Sequence, residues 1–174
     1  SINLGMDSFG AFDVAADINM DMGDTMALRV NVHSDTLENH RDYYDGDRLG
    51  FNPTLIMKLS PETTLDLSYE YIDHERFIDR GIPTANNVPI KEYAEIVFGD
   101  KDNNVHTVEA SVLRATVSHL FSDTMKGNLS VTSNSFEKMY QNTYAASHTA
   151  GSGVVTMDGY HDPTAVSYTH LRAH

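Results

Sequence analysis

From residue 11 onward the chain alternates apolar and polar side chains. Phe12, Val14, Ala16, Ile18 and Met20 fall on one face of an extended segment, with Asp13, Asp17 and Asn19 on the other. After a short turn, Met26, Leu28, Val30 and Val32 alternate with Arg29, Asn31 and His33. The pattern returns in Leu49, Phe51, Leu55, Met57 and Leu59, and again in Leu65, Leu67, Tyr69 and Tyr71. A period of two residues marks half-buried strands, because successive side chains point to opposite faces. Strands are predicted near 2–8, 11–20, 26–33, 48–59, 64–74, 106–120 and 126–140, with a partial one near 153–161.

The connections alternate as well. Tight turns at 21–25, 60–63 and 121–125 are separated by a long polar loop at 34–47 and by about thirty residues beginning at 75. Strands of about ten residues, joined by short turns on one side and long loops on the other, are the pattern of an outer-membrane β-barrel. The predicted fold class is all-β: an antiparallel meander of about seven or eight strands, one segment of a transmembrane barrel and not closed by itself. Pro53 demotes its strand, since proline donates no ladder hydrogen bond. Within the longest loop, 90–97 is predicted to form a short helical turn.

Composition narrows the function classes. A formal net charge of −13 argues against nucleic acid as a partner. No run approaches the roughly 18 apolar residues of a membrane helix. The 174 residues include no cysteine, so there is no disulfide framework and no thiolate metal site. Tryptophan is absent too, leaving nine tyrosines to serve as an aromatic girdle. Nine histidines invite a metal reading, yet no His-x-x-x-His pair falls on a helix and no three-ligand cluster stands out. Residues 99–104 faintly suggest a calcium loop but lack its ordered ligands and closing glutamate. No Gly-x-Ser-x-Gly elbow or other catalytic constellation is present, so an enzyme is not expected.

The run Asp42-Tyr43-Tyr44-Asp45-Gly46-Asp47-Arg48-Leu49-Gly50-Phe51-Asn52-Pro53-Thr54-Leu55 resembles a segment of TonB-dependent siderophore receptors, notably the catecholate type. So do Thr64-Leu65-Asp66-Leu67-Ser68-Tyr69-Glu70-Tyr71 and Asp79-Arg80-Gly81-Ile82-Pro83. Phe98-Gly99-Asp100, Phe136-Glu137-Lys138-Met139-Tyr140-Gln141-Asn142 and Val155-Thr156-Met157-Asp158-Gly159-Tyr160 continue in the family's order. The resemblance covers nearly everything from 2 to 164. It implies a barrel of about 22 strands around a globular plug, in the outer membrane of a Gram-negative bacterium. A ferric siderophore would be the transported ligand, with no cofactor bound directly. Implied partners are outer-membrane lipid, the receptor's own plug and, through that plug, the TonB complex. By this resemblance residues 1–165 supply part of the barrel's N-terminal portion, without the plug.

The two ends read differently. Ser1-Ile2-Asn3-Leu4-Gly5 begins as if inside a strand, so the chain reads as a fragment. Val166-Ser167-Tyr168-Thr169-His170-Leu171-Arg172-Ala173-His174 resembles one reading frame of the transposon-end adapter used in sequencing libraries, which implies a non-native tail at 166–174.

A ferric catecholate is a bulky anion, so its site should offer cations between aromatic walls. Arg41, Tyr43 and Tyr44 in the first long loop, and Arg76, Phe77 and Arg80 in the second, are the candidate ligand-binding residues. Neighbouring acids such as Asp42 and Asp79 offer them ordinary ion pairs instead. Arg29, Lys58 and Arg114 lie on the polar faces of their strands and are expected to point into the lumen, toward the plug. Two alternatives remain at this level: a passive porin, and a secreted β-sandwich adhesin whose apolar faces pack on each other.

Overall fold

The computed structural model describes residues 1–149 and 151–173. Ten strands follow one another: β1 (Ile2–Met6), β2 (Phe12–Asp21), β3 (Met26–Glu38), β4 (Asp45–Lys58), β5 (Thr63–Phe77), β6 (Thr84–Ala85), β7 (Val88–Pro89), β8 (Val105–Ser122), β9 (Met125–Thr149) and β10 (Val154–Ala173). Eight form one antiparallel sheet in chain order, β1-β2-β3-β4-β5-β8-β9-β10, and β1 and β10 are its two open edges. The predicted all-β meander is the observed one. No helix among the described residues is long and apolar enough to cross a membrane.

Register sorts the side chains onto two faces. Met20–Leu28–Leu55–Leu67–Ala115–Val131 form one apolar row across six strands. On the opposite face, Asn19–Arg29–Thr54–Ser68–Arg114–Thr132 form a polar row at the adjacent level. Toward β9 the apolar face thins to hydroxyls at Ser111, Ser133 and Ser135. The band ends sharply. One row beyond Tyr71, three carboxylates stand directly opposite each other, Asp73–Glu109–Glu137. Like charges so placed repel unless water surrounds them. About ten residues separate this row from the turn at 60–62, roughly 33 Å of strand. At a tilt near 45° that is about 24 Å, close to the apolar band of a membrane barrel. Residues from 73 on β5, and up to 109 on β8, therefore lie beyond the apolar band.

Several expectations are corrected. The loop expected at 34–47 shortens to 39–44, because β3 and β4 run on as a ladder to Glu38↔Asp45. The partial last strand is instead β10, twenty residues long, and residues up to Ala173 pair with β9. Pro53 pairs with Val30 on β3, while toward β5 the ladder skips Asn52 and Pro53 and resumes at Thr54↔Ser68 in the same register. A missing N–H costs one rung without ending the strand.

The segment between β5 and β8 is ordered. Its β6–β7 hairpin turns through Asn86 and Asn87, both with positive φ (53° and 63°), as a tight two-residue hairpin turn requires. The predicted helical turn is a 3₁₀ turn, Lys91–Tyr93.

Candidate ligand site at the strand ends

On the polar face behind the apolar band, cations meet acids on the next strand. Arg29 donates through Nε and Nη2 to the two oxygens of Asp17, at 2.9 and 2.7 Å. Arg114 Nη1 lies 3.8 Å from Glu70. Lys58 is exposed at the turn end of β4. One level above the apolar band, Arg48 forks onto buried Asp35, with Nε 2.9 Å from Oδ1. Lys138 donates to Asp162 at 2.6 Å. Arg29, Arg114, Arg48 and Lys138 are thus paired inside the sheet, while Lys58 makes no ion pair among the described residues.

Near the strand ends the partners change from acids to rings. His74, on β5, stacks edge-on to His106 of β8 with ring centroids 5.5 Å apart, and His106 lies 5.4 Å from Tyr140 of β9. Tyr140 reaches Tyr160 of β10 at 5.8 Å, so a ring row crosses four strands. Arg76 stands directly opposite His106 and, among the described residues, makes no ion pair. Its other neighbour is Gly46, where any Cβ would come within 2.7 Å of Arg76 Cα and Cβ. Burial, and the Arg76 guanidinium beside them, hold both imidazoles below the ordinary histidine range. Their Nδ1 atoms are buried without a protein partner. A cation flanked by neutral rings can give charge-assisted hydrogen bonds to an anion while the rings supply apolar area.

A second cation–ring pair is built by the segment after β5. Arg80 sits over the Tyr144 ring of β9, its guanidinium carbon 4.1 Å from the centroid. Arg80 itself occupies a tight turn, in which Asp79 Oδ1 accepts the Gly81 N–H at 2.8 Å and Gly81 has φ +81°. The other Asp79 oxygen accepts Arg41 Nε at 2.5 Å. Arg41 also donates to the Ala94 carbonyl and, at 2.9 Å, to the Ile96 carbonyl. The Arg41 and Asp79 side chains are only 13% and 8% exposed.

Asn104 ties the base of the segment to β9. Its Nδ2 donates to the carbonyls of Ile78 (3.0 Å) and Thr143 (2.9 Å), and its Oδ1 accepts the Thr143 N–H at 2.8 Å. At 2% exposure it is as buried as any described residue. Tyr144, next in the chain, is held at its hydroxyl by Asp158, 3.4 Å away. Tyr93 packs edge-on between Phe98 and His148, 5.6 Å from each.

The structure thus divides the predicted ligand residues. Arg80 presents its cation against the Tyr144 ring, and Arg76 stands in register beside His106. Arg41 is consumed in fastening the two loops. Phe77, 5% exposed, lies with Ile78 in the small apolar core under the segment and presents no wall to a ligand. Tyr43 is exposed at positive φ (63°), and Tyr44 is half-buried. The faint calcium loop is a self-satisfied turn, where Asp100 accepts from the Asn103 side chain (3.0 Å) and the Asp102 N–H (2.9 Å). The Asn103 bond is the main reason the Asp100 carboxyl sits below its usual range. His74, His106, Tyr140 and Tyr144 were not singled out as a group by the sequence. Their register signal was present, but only strand pairing brings them together. Asn104 gave no signal at all.

No family model matches the chain. The metal-pseudopaline receptor CntO of Pseudomonas aeruginosa is 26% identical over 118 residues, covering 67% of this chain and 17% of that protein. The ferric-catecholate import receptor Fiu of E. coli K12 superposes with a TM-score of 0.73 at 18% identity, covering 94% of this chain and 26% of Fiu. The siderophore receptor PiuA of Acinetobacter baumannii gives 0.74 at 20% identity, covering 95% of this chain and 26% of PiuA. A 61-residue stretch is also 34% identical to a bacillolysin of Bacillus amyloliquefaciens, but it takes in 35% of this chain and 10% of that protein. The receptor likeness takes in nearly every strand. The chain has the fold of part of these receptors, spans about a quarter of their solved chains and about a sixth of CntO, and its fold neighbours are receptors, not enzymes.

Proposed function

We propose that this chain forms part of the barrel wall of a TonB-dependent receptor in a Gram-negative outer membrane, one that binds a ferric siderophore and imports it with energy from the TonB complex. The observation that carries the reading is the fold likeness to siderophore receptors over about 95% of the chain. The two-faced sheet supports it: an apolar band that would face lipid, and a polar face on which Arg29, Arg48, Arg114 and Lys138 pair with acids of the wall. On this reading iron is cargo, held by its chelator, and the protein recognises the anionic chelate. Arg76 and Arg80 supply the charge, and the rings of Tyr140, Tyr160 and Tyr144 supply the flat apolar area. The lower polar face, with Arg29, Lys58 and Arg114, meets the plug.

The test uses the full gene that contains this segment, expressed in a strain without its own catecholate receptors. Uptake of radiolabelled iron is measured with a ferric catecholate as the only iron source. Saturable uptake that disappears when TonB is deleted is the expected result. Unsaturable, TonB-independent uptake would replace this reading with the passive porin. No association with the outer membrane would leave the β-sandwich.

A further inference from the structure

Arg41 has the composition of a ligand residue and the environment of a structural one. Its guanidinium reaches three acceptors on the segment between β5 and β8: Asp79, the Ala94 carbonyl and the Ile96 carbonyl. Its own backbone is set by Asn39, whose Oδ1 accepts the Arg41 N–H at 2.7 Å. With the guanidinium so enclosed, it has little left to offer an incoming anion. What it fixes is its neighbour's neighbour. Asp79 holds Arg41 with one oxygen and the Gly81 amide with the other, and Arg80 is the residue between them. Tyr144, the ring under Arg80, is set independently through the adjacent Asn104–Thr143 bonds and through Asp158.

We infer that Arg41 is a positioning residue for ligand capture: it latches the segment so that Arg80 stays over the Tyr144 ring, and Arg80 is the cation presented to an anionic metal chelate. The inference rests on the receptor reading for its ligand, while the latch itself rests on geometry. Lysine at 41 would keep the charge beside Asp79. It could not keep the planar fork that also serves two carbonyls.

The experiment is a double-mutant cycle in the full receptor, with equilibrium binding of the iron(III) complex of dihydroxybenzoate and amide exchange as readouts. Arg80→Ala weakens binding about tenfold, the size of one charge-assisted contact. Arg41→Lys weakens it by a similar factor and speeds exchange at the Gly81 amide, whose acceptor Asp79 loses its anchor. The double variant binds no more weakly than Arg41→Lys alone, because Arg80 is already displaced. Losses that multiply would overturn the inference, since Arg41 would then act without Arg80. Unchanged Gly81 exchange in Arg41→Lys would overturn it too. If the unaltered receptor binds no ferric chelate, the receptor reading fails on its own, and the exchange result alone decides the latch.

Discussion

The rows of the apolar band and the strand ends above them are held together by different means. In the rows of the apolar band, order comes from a backbone ladder that skips Asn52 and Pro53 between β4 and β5, and side chains add exposed pairs such as Arg29–Asp17. Above the Asp73–Glu109–Glu137 row the ladder continues, but the segment between β5 and β8 depends on a few enclosed side chains: Asn104, Arg41 with Asp79, and Phe77 with Ile78. A ladder spreads its stability over many equivalent bonds. A knot concentrates it in one residue. The charges divide in a similar way: Arg29 and Arg114 low in the wall are matched by acids, whereas Arg80 is matched by the Tyr144 ring and Arg76 stands in register beside His106.

The sharpest way to break the comparison is to remove the knot. Asn104→Ala leaves the Ile78 and Thr143 carbonyls and the Thr143 N–H without their partner in a buried place. Unsatisfied buried groups cost about 1–3 kcal/mol each, and partial relaxation toward water lowers the sum. A local loss of about 3 kcal/mol is expected, read as roughly hundredfold faster amide exchange at Thr143. The rows from 63 to 71 on β5 should keep their protection. Loss of both together would mean that the strand ends and the rows of the apolar band unfold as one unit.

This division also explains what the sequence disclosed. Between Leu65 and Tyr71 one face of the sheet is apolar and the other polar, so alternation is strong and the strand is readable. Above residue 73 both faces are wet, and the periodicity fades while the hydrogen-bond ladder continues. That is why residues 34–38 and 45–47 read as loop and fold as β3 and β4. The site was half legible for a related reason. Loop composition offered arginines and aromatics, but it could not separate Arg41, which is enclosed, from Arg80, which is presented. That distinction depends on which acid lies nearby in space, and Asp79 is 38 residues from Arg41.

A milder effect should follow acidification. His74 and His106 titrate below the ordinary histidine range in the folded protein, chiefly through burial and then through Arg76, with Arg48 acting on His74 and Lys138 on His106. The unfolded chain therefore takes up these protons first as pH falls. Their contribution to stability is fully present above about pH 6.5 and is lost as pH drops through that value toward the lowered folded ones. Moving from pH 8 to pH 5 should loosen exchange at β5 and β8 above the acidic row. His74→Phe with His106→Phe, which keeps the rings and removes the titration, should flatten that response. A pH dependence that survives the double substitution would assign it to other groups.

The smallest effect is expected at Arg29. Its bond to Asp17 has good bidentate geometry, yet the two side chains are 59% and 36% exposed on the polar face. Exposed pairs gain little, because water and salt screen the charges and two long side chains must be held still. Around them the ladder continues through Asp17↔Asn31 and Asn19↔Arg29, and those backbone bonds do not need the guanidinium. Arg29→Ala should therefore leave the melting temperature of the full-length protein in detergent within measurement scatter, at low salt and at high salt alike. Amide exchange at Asn31 should not change. If Arg29→Ala instead frees the β2–β3 ladder as Asn104→Ala frees Thr143, side chains carry the wall as well as the strand ends, and the distinction between a distributed ladder and a concentrated knot falls.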